Sequence, residues 1–247
     1  MSVFADLHRP GAPLLLPNAW DHASAAALAA AGFAAVGTTS LGVAAALGLR
    51  DGAAETAEAT IELARRLTHL PVPITMDVED GFSKDPAAVA GYVERLGPIA
   101  GVNLEDQLGD PAVHAAVITA VKVRTPNLFV NARTDTYWLG RRSLQETLER
   151  AQAYVDAGAD GIFVPGVIDE NEIAALAEAL PVPLNVLFSP NTLTVQRLAE
   201  LGVARISTGS LLYRVALGAA INAATAIGDR ATAFEAPSYA EVDAFAT

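Results

Sequence analysis

Short apolar runs bounded by turn residues alternate with longer stretches of helical period along most of this chain. The first kind predicts buried strands and the second helices. The expected strands are Leu14 to Leu16, Ala34 to Gly37, Val72 to Val78, Ala100 to Leu104, Leu128 to Ala132, Gly161 to Val164, Pro183 to Leu187 and Ala204 to Ser207. Asp21 caps an expected helix over Ala23 to Ala31, which Gly32 ends. A helix from Glu55 to Leu70 is closed by Pro71. Asp85-Pro86 and Asp110-Pro111 each set a capping acid before a proline at the first helical position, opening helices to about Leu96 and Val123. Ser143 with Glu146 three residues on reads as a capping box. Further helices are expected over Asp169 to Leu180, Asn191 to Leu201 and Ser210 to Ile227. The polar set Thr38-Thr39-Ser40 ends the second strand, and Gly48 to Gly52 reads as a loop.

The pattern gives eight strand-helix units in sequence, joined by short links with no Pro/Gly/Ser-rich spacer. Alternating units imply parallel strands. Eight of them in this length imply an α/β protein with a closed (β/α)8 TIM barrel, as a single domain over 1–247. A doubly wound open sheet is the alternative. No glycine-rich dinucleotide fingerprint follows the first strand to support it.

Composition narrows the partners. Apolar residues are 52% of 247, enough for a large core. Lys plus Arg total 16 against 28 Asp plus Glu, a net charge of -12. Nucleic acid is therefore not an expected partner, since no basic surface displaces its counterions. An anionic substrate needs positive charge supplied within the site. The chain has no Cys, which excludes disulfides, thiolate metal sites and a Cys nucleophile. Met1 to Pro10 has no apolar core of a signal peptide, so a cytoplasmic location is expected. Ala23 to Leu49 carries no charge and is long enough to span a bilayer. Its Ser24, Gly32, Thr38, Thr39 and Ser40 fit a buried helix and strand better, and no membrane partner is expected.

The candidate chemistry lies at the C-terminal strand ends, where a barrel of this kind carries its site. These ends supply Thr38, Thr39, Ser40, Asp77, Glu79, Glu105, Arg133 and Asn185, with Asp51 on a following loop. Residues two apart on a strand face one side, so Asp77 and Glu79 point together and Asp80 points away. Two such acids are costly to bury unless a divalent cation lies between them. A loop cap or an Arg pair is the plainer alternative. All-oxygen ligation suits Mg2+, and Mn2+ fits the same ligands. No pair of His stands at zinc-ligand spacing, and all four His are expected to be structural or solvated, with His8, His69 and His114 near the surface. Arg133 either grips a substrate carboxylate or phosphonate, or neutralises the acids around it. Ser207-Thr208-Gly209-Ser210 leads into a helix and reads as a phosphate cradle or as a plain cap. Asp80, Asp106, Asp135 and Arg205 are expected to support the site rather than touch a ligand.

Four segments together resemble the phosphoenolpyruvate mutase/isocitrate lyase superfamily, in that family's order. They are Gly48-Leu49-Arg50-Asp51, Met76-Asp77-Val78-Glu79-Asp80-Gly81-Phe82, Val102-Asn103-Leu104-Glu105-Asp106 and Asn131-Ala132-Arg133-Thr134-Asp135. The resemblance runs from about Leu14 to Ile227. It implies a (β/α)8 barrel that uses Mg2+ to bind a small 2-oxo or 2-hydroxy carboxylate, with an enolate-like intermediate or phosphoryl movement. Under it, Asp77 resembles the direct metal ligand. Asp51, Glu79 and Glu105 resemble carboxylates that hold the ion largely through water. Arg133 resembles the substrate arginine, and Thr39, Ser40 and Leu41 the segment that binds the substrate carboxylate. Asn185 resembles an Asn that contacts a distal carboxylate. Asp51, Glu105 and Arg133 are the candidate catalytic residues.

The resemblance also implies a homodimer or homotetramer in which the C-terminal helix is swapped between subunits. The chain departs from the family in three places. It lacks the lyase Cys loop, the segment after Glu105-Asp106 is short, and Leu187 stands where several lyases have a hydroxyl. The expected activity is Mg2+-dependent C–C cleavage, oxaloacetate decarboxylase-like or methylisocitrate lyase-like. Phosphonopyruvate hydrolase or phosphoenolpyruvate mutase chemistry is the alternative, as is a 2-oxo acid binder without turnover.

Overall fold

The computed structural model describes residues 3–228 and 235–245. Its centre is a ring of parallel strands. The first strand is divided at Pro17 into β1 (Leu14–Leu16) and β2 (Asn18–Ala19). The others are β3 (Val36–Thr38), β4 (Ile74–Asp77), β5 (Gly101–Glu105), β6 (Phe129–Arg133), β7 (Gly161–Val164), β8 (Leu184–Leu187) and β9 (Arg205–Ser207). Each pairs in parallel with its neighbour in sequence from β2 to β9, and β1 pairs with β9. Because β1 and β2 flank one proline, the two ends of the sheet are one strand and the ring closes there. Proline cannot donate to the ladder, which breaks the strand. Its carbonyl still accepts from Gly37 N at 2.9 Å. This is a (β/α)8 barrel.

Helices cover the outside: α1 (His22–Ala30), α3 (Ala57–Leu67), α4 (Pro86–Arg95), α5 (Pro111–Arg124), α6 (Leu144–Asp156), α7 (Glu170–Ala179), α8 (Val195–Glu200) and α9 (Leu211–Gly228). Asp21, Asp85 and Asp110 accept from the first-turn amides of their helices, as the sequence predicts. A further helix to which the sequence pattern assigns no element, α2 (Ser40–Ala46), follows β3, with Val43 and Ala44 buried. Its run of small residues carries no amphipathic signal. The box at Ser143 is half made. Ser143 accepts from Glu146 N, but the Glu146 carboxylate is held by Arg141 and Arg150. The helix expected from Asn191 starts at Val195, after a Thr194 cap, and Asn191 has φ 64.

The main core lies between barrel and helices, through residues such as Ile61, Leu67, Val93, Ile118, Tyr154 and Ile173. A second cluster of Phe4, Leu14, Leu16, Ala35 and Phe129 plugs the N-terminal end of the barrel. His8 stacks on Phe129 there, with ring centroids 4.4 Å apart. His8 and His114 are buried, against the expectation of surface settings. The packing of His114 against Tyr154 is a contact between helix partners that spacing alone does not reveal.

Candidate active site

Each acid reaches the C-terminal mouth by a local device. Asp77 is the last residue of β4, and its amide is held by Thr38 Oγ1 at 2.9 Å. Strand alternation stops there. Glu79 has φ 50 and Gly81 φ 86, so a tight left-handed turn, not a continued strand, brings Glu79 back beside Asp77. Gly81 has no room for a side chain, since a Cβ would meet Val89 Cγ1 at 2.4 Å. Asp80 faces away and pairs with Lys84 at 2.7 Å. The β5–β6 register sets Glu105 directly opposite Arg133. Their ion pair is 2.6 Å, and Arg133 Nε meets Asp135 Oδ1 at 2.6 Å. Trp138 and Phe163 each lie 5.9 Å from the guanidinium, a spacing that favours a cation over a ring face. Arg133 Nη2 has no hydrogen-bond partner among the described residues.

These groups line a cavity of about 460 Å3, within the range of small-molecule sites. Thr39, Ser40, Leu41, Asp51, Asp77, Glu79, Glu105 and Arg133 all line it. Gln107, Asp135, Trp138, Leu139, Phe163 and Ser207 line it too. Of these, Gln107 and the pair Trp138-Leu139 sit in turns, where periodicity gives no signal.

Burial pushes the Asp77 carboxyl above its usual range, against the pull of Arg133 and the Ser40 amide. Burial also raises Glu79, opposed by its bond from Thr56 and reinforced by Asp77 and Asp51. Glu105 is pushed up to about 8 by burial, with Arg133 opposing and Asp77 and Asp135 adding. Burial works against the charge on Arg133, but Glu105, Asp135 and Asp77 outweigh it and hold its pKa above the ordinary value.

The acids fit a hard cation. Glu79 is 2% exposed; Thr56 donates to its Oε1 at 2.7 Å, while Oε2 has no partner among the described residues. A buried carboxylate oxygen without a donor is costly unless something positive meets it. No three carboxylate or His groups among the described residues form a compact cage. Mg2+ would not require one, since it keeps several waters and takes one or two carboxylates directly.

Asn185 does not line the cavity. It is 1% exposed beneath it, donating to Val186 O and Arg205 O and accepting from Asn131. Arg205 is fully buried inside the barrel, with Nη2 on Asn103 Oδ1 at 3.0 Å. Asn18 Oδ1 accepts from Thr208 N and Gly209 N, both at 2.9 Å. Those two amides are thus engaged within the protein, and the segment there is a closed turn rather than a free phosphate cradle. Ser40 N donates to Asp77 Oδ2 at 3.2 Å, so this amide steadies the acid. Asp106 is buried among Arg150, Tyr154 and the Leu108 and Asp135 amides, a supporting role as expected. Only Asp106 to Asp110 separate β5 from α5, and Gln107 and Leu108 make the turn with φ 46 and 55.

The family model for phosphoenolpyruvate phosphomutase matches residues 4–228. The chain belongs to the phosphoenolpyruvate mutase/isocitrate lyase superfamily. An uncharacterized protein of Mycobacterium tuberculosis is 49% identical over 98% of this chain and 95% of its own. The 2-methylisocitrate lyase of Bacillus subtilis is 33% identical over 69% of this chain and 61% of its own. Phosphoenolpyruvate phosphomutase of Streptomyces hygroscopicus is 32% identical over 80% and 70%. A solved structure from Burkholderia cenocepacia, provisionally a phosphonomutase, is 39% identical with a TM-score of 0.86, covering 90% of this chain and 98% of that one. Superfamily members thus include both C–C lyases and phosphomutases.

Proposed function

We propose that this protein is a Mg2+-dependent lyase that cleaves a C–C bond in a small 2-oxo or 2-hydroxy carboxylate, leaving an enolate. The observation that carries the reading is the partnerless, buried Glu79 Oε2 beside Asp77, within an excess of acids over cations. Asp77 would hold the ion directly, with Asp51, Glu79 and Glu105 acting through water. Further support comes from a solved protein of the same fold, phosphonopyruvate hydrolase, that binds oxalate with Mg2+. An ion held by these acids would supply Lewis acidity toward the substrate's 2-oxo oxygen.

The chain's own groups do the rest. Arg133 offers Nη2 to the substrate carboxylate while Glu105 and Asp135 fix its plane. Thr39, Ser40 and Leu41 shape the wall beside Asp77. Trp138 and Phe163 exclude water from the guanidinium face. Decarboxylation of an oxaloacetate-like acid, whose departing carboxylate is β to the 2-oxo group, leaves CO2 and an enolate and needs no general base. A panel of 2-oxo and 2-hydroxy acids, assayed with Mg2+ for pyruvate or phosphate release, tests this. Pyruvate formation that stops in excess chelator is expected. Phosphate release from phosphonopyruvate would instead place the protein with C–P chemistry. Tight binding without product would make it a binder.

The reading includes a homo-oligomer. Helix α9 has no buried residue, and its Val215, Leu217, Ile221 and Ile227 are exposed. It is also long and apolar enough to cross a membrane by length and composition. A subunit contact covers such a face without a bilayer.

A further inference from the structure

Beneath the cavity floor the barrel interior holds a guanidinium. Arg205, on β9, is fully buried there. Its Nη2 donates to Asn103 Oδ1 at 3.0 Å, while Nε and Nη1 have no partner among the described residues. Burial lowers its pKa to about 9, with Asp77 opposing, so the group stays charged at neutral pH. Unpaired nitrogens on a buried cation are costly. A methionine of similar length would fill the space without that cost, so packing alone does not account for the arginine.

What the guanidinium does is fix Asn103. The strand register sets Asn103 on β5 opposite Asp77 on β4 and opposite Asn131 on β6. Residues two apart on a strand share a face, so Glu105 stands above Asn103 on the same side. Asn103 lines the cavity. A charged guanidinium only donates, so the Asn103 atom against Arg205 is the carboxamide oxygen. Asn131 Nδ2 donates to the same oxygen at 2.8 Å. The two donors hold Oδ1 and turn Nδ2 away from them, toward the cavity. Asn103 Nδ2 has no hydrogen-bond partner among the described residues.

We infer that Asn103 Nδ2 donates to an oxygen of the bound oxo-acid, and that Arg205 is the positioning residue that holds the carboxamide in this orientation. The inference rests on the proposed Mg2+ site, which would bring such an oxygen beside Asp77. A donor fixed in advance costs no reorganisation when charge develops on that oxygen. Without Arg205 only Asn131 holds Oδ1, and the carboxamide is freer to turn its own oxygen toward the anion.

Calorimetric titration of oxalate at saturating Mg2+, beside titration of Mg2+ alone, separates the two levels. Oxalate should bind wild type. Asn103→Asp keeps an acceptor against Arg205 and sets an oxygen where the amide was. It should weaken oxalate by about tenfold or more without weakening Mg2+ alone. Arg205→Met should weaken oxalate by about tenfold and leave Mg2+ alone unchanged, and Arg205→Lys, which restores a donor, should recover most of that loss. Unchanged oxalate affinity in Asn103→Asp, or an equal loss for Mg2+ alone, overturns the contact. Arg205→Met with wild-type oxalate affinity overturns the positioning role. An Arg205→Met protein that fails to fold makes Arg205 structural and also overturns that role, and Asn103→Asp then decides the contact alone. If oxalate binds wild type and every variant alike, this inference falls and the metal site stands. If oxalate fails to bind wild type with Mg2+, both readings fall.

Discussion

Among the described residues the one side-chain donor on Glu79 is Thr56, whose Oγ1 meets Oε1 from the loop before α3, and the Ala54 backbone adds a weaker hold. A residue that orients a metal-holding carboxylate commonly sets affinity by 10–100-fold, as an order of magnitude. Thr56→Val should therefore weaken Mg2+ binding by about tenfold or more while the far-ultraviolet spectrum is unchanged. Equal affinity in the two proteins would remove Thr56 from the account. The acids themselves were legible in the sequence, because charge at the end of an apolar strand has few structural uses. The place of Asn185 was not legible. Alternation says that a side chain points into the barrel, but not how deep along the axis it lies. Here depth separates Leu187 on the cavity wall from Asn185 below it.

At the scale of elements, the turn after β4 decides where Glu79 stands. Gly81→Ala forces a side chain into Val89 at a positive φ. A loss of about 1–3 kcal/mol in stability is expected, by urea unfolding, together with weaker Mg2+ binding. The glycine was visible in the sequence, yet the strand rule put Glu79 on the right side for the wrong reason. The segment before β1 carries a pH dependence. Burial, with help from Arg205, lowers His8 from an ordinary 6.5 to about 4. Its Nδ1 donates to Phe4 O at 2.9 Å and Nε2 has no partner, so the folded protein keeps the ring neutral. The unfolded chain takes up that proton below about pH 6.5 while the fold resists until about 4. The His8 contribution is thus complete above 6.5 and lost as pH falls toward 4. Unfolding free energy should drop by about 2 kcal/mol more between pH 7 and pH 5 in wild type than in His8→Gln. Equal slopes would contradict a neutral, buried His8.

The whole molecule was the most legible scale. Repeated strand-helix units in this length leave few folds besides a closed barrel, and the ring follows that count. The division of the first strand at Pro17 was not anticipated, because the pattern shows only one apolar run there. Helix α9 is a molecular-scale feature too, since past the Tyr213–Trp20 contact its Val215, Leu217, Ile221 and Ile227 are exposed. Light scattering should find a homo-oligomer, and Leu217→Asp with Ile221→Asp should dissociate it. A monomeric wild type would contradict the proposed assembly.

The central claim is that acids from separate strands hold one hard cation. Titration of Mg2+ with oxalate into wild type and Asp77→Asn, followed by calorimetry, tests it most directly. The account predicts a single ion per chain in wild type and an affinity lower by about 100-fold or more in the variant, with its circular dichroism unchanged. Equal affinity in a folded Asp77→Asn protein would contradict it.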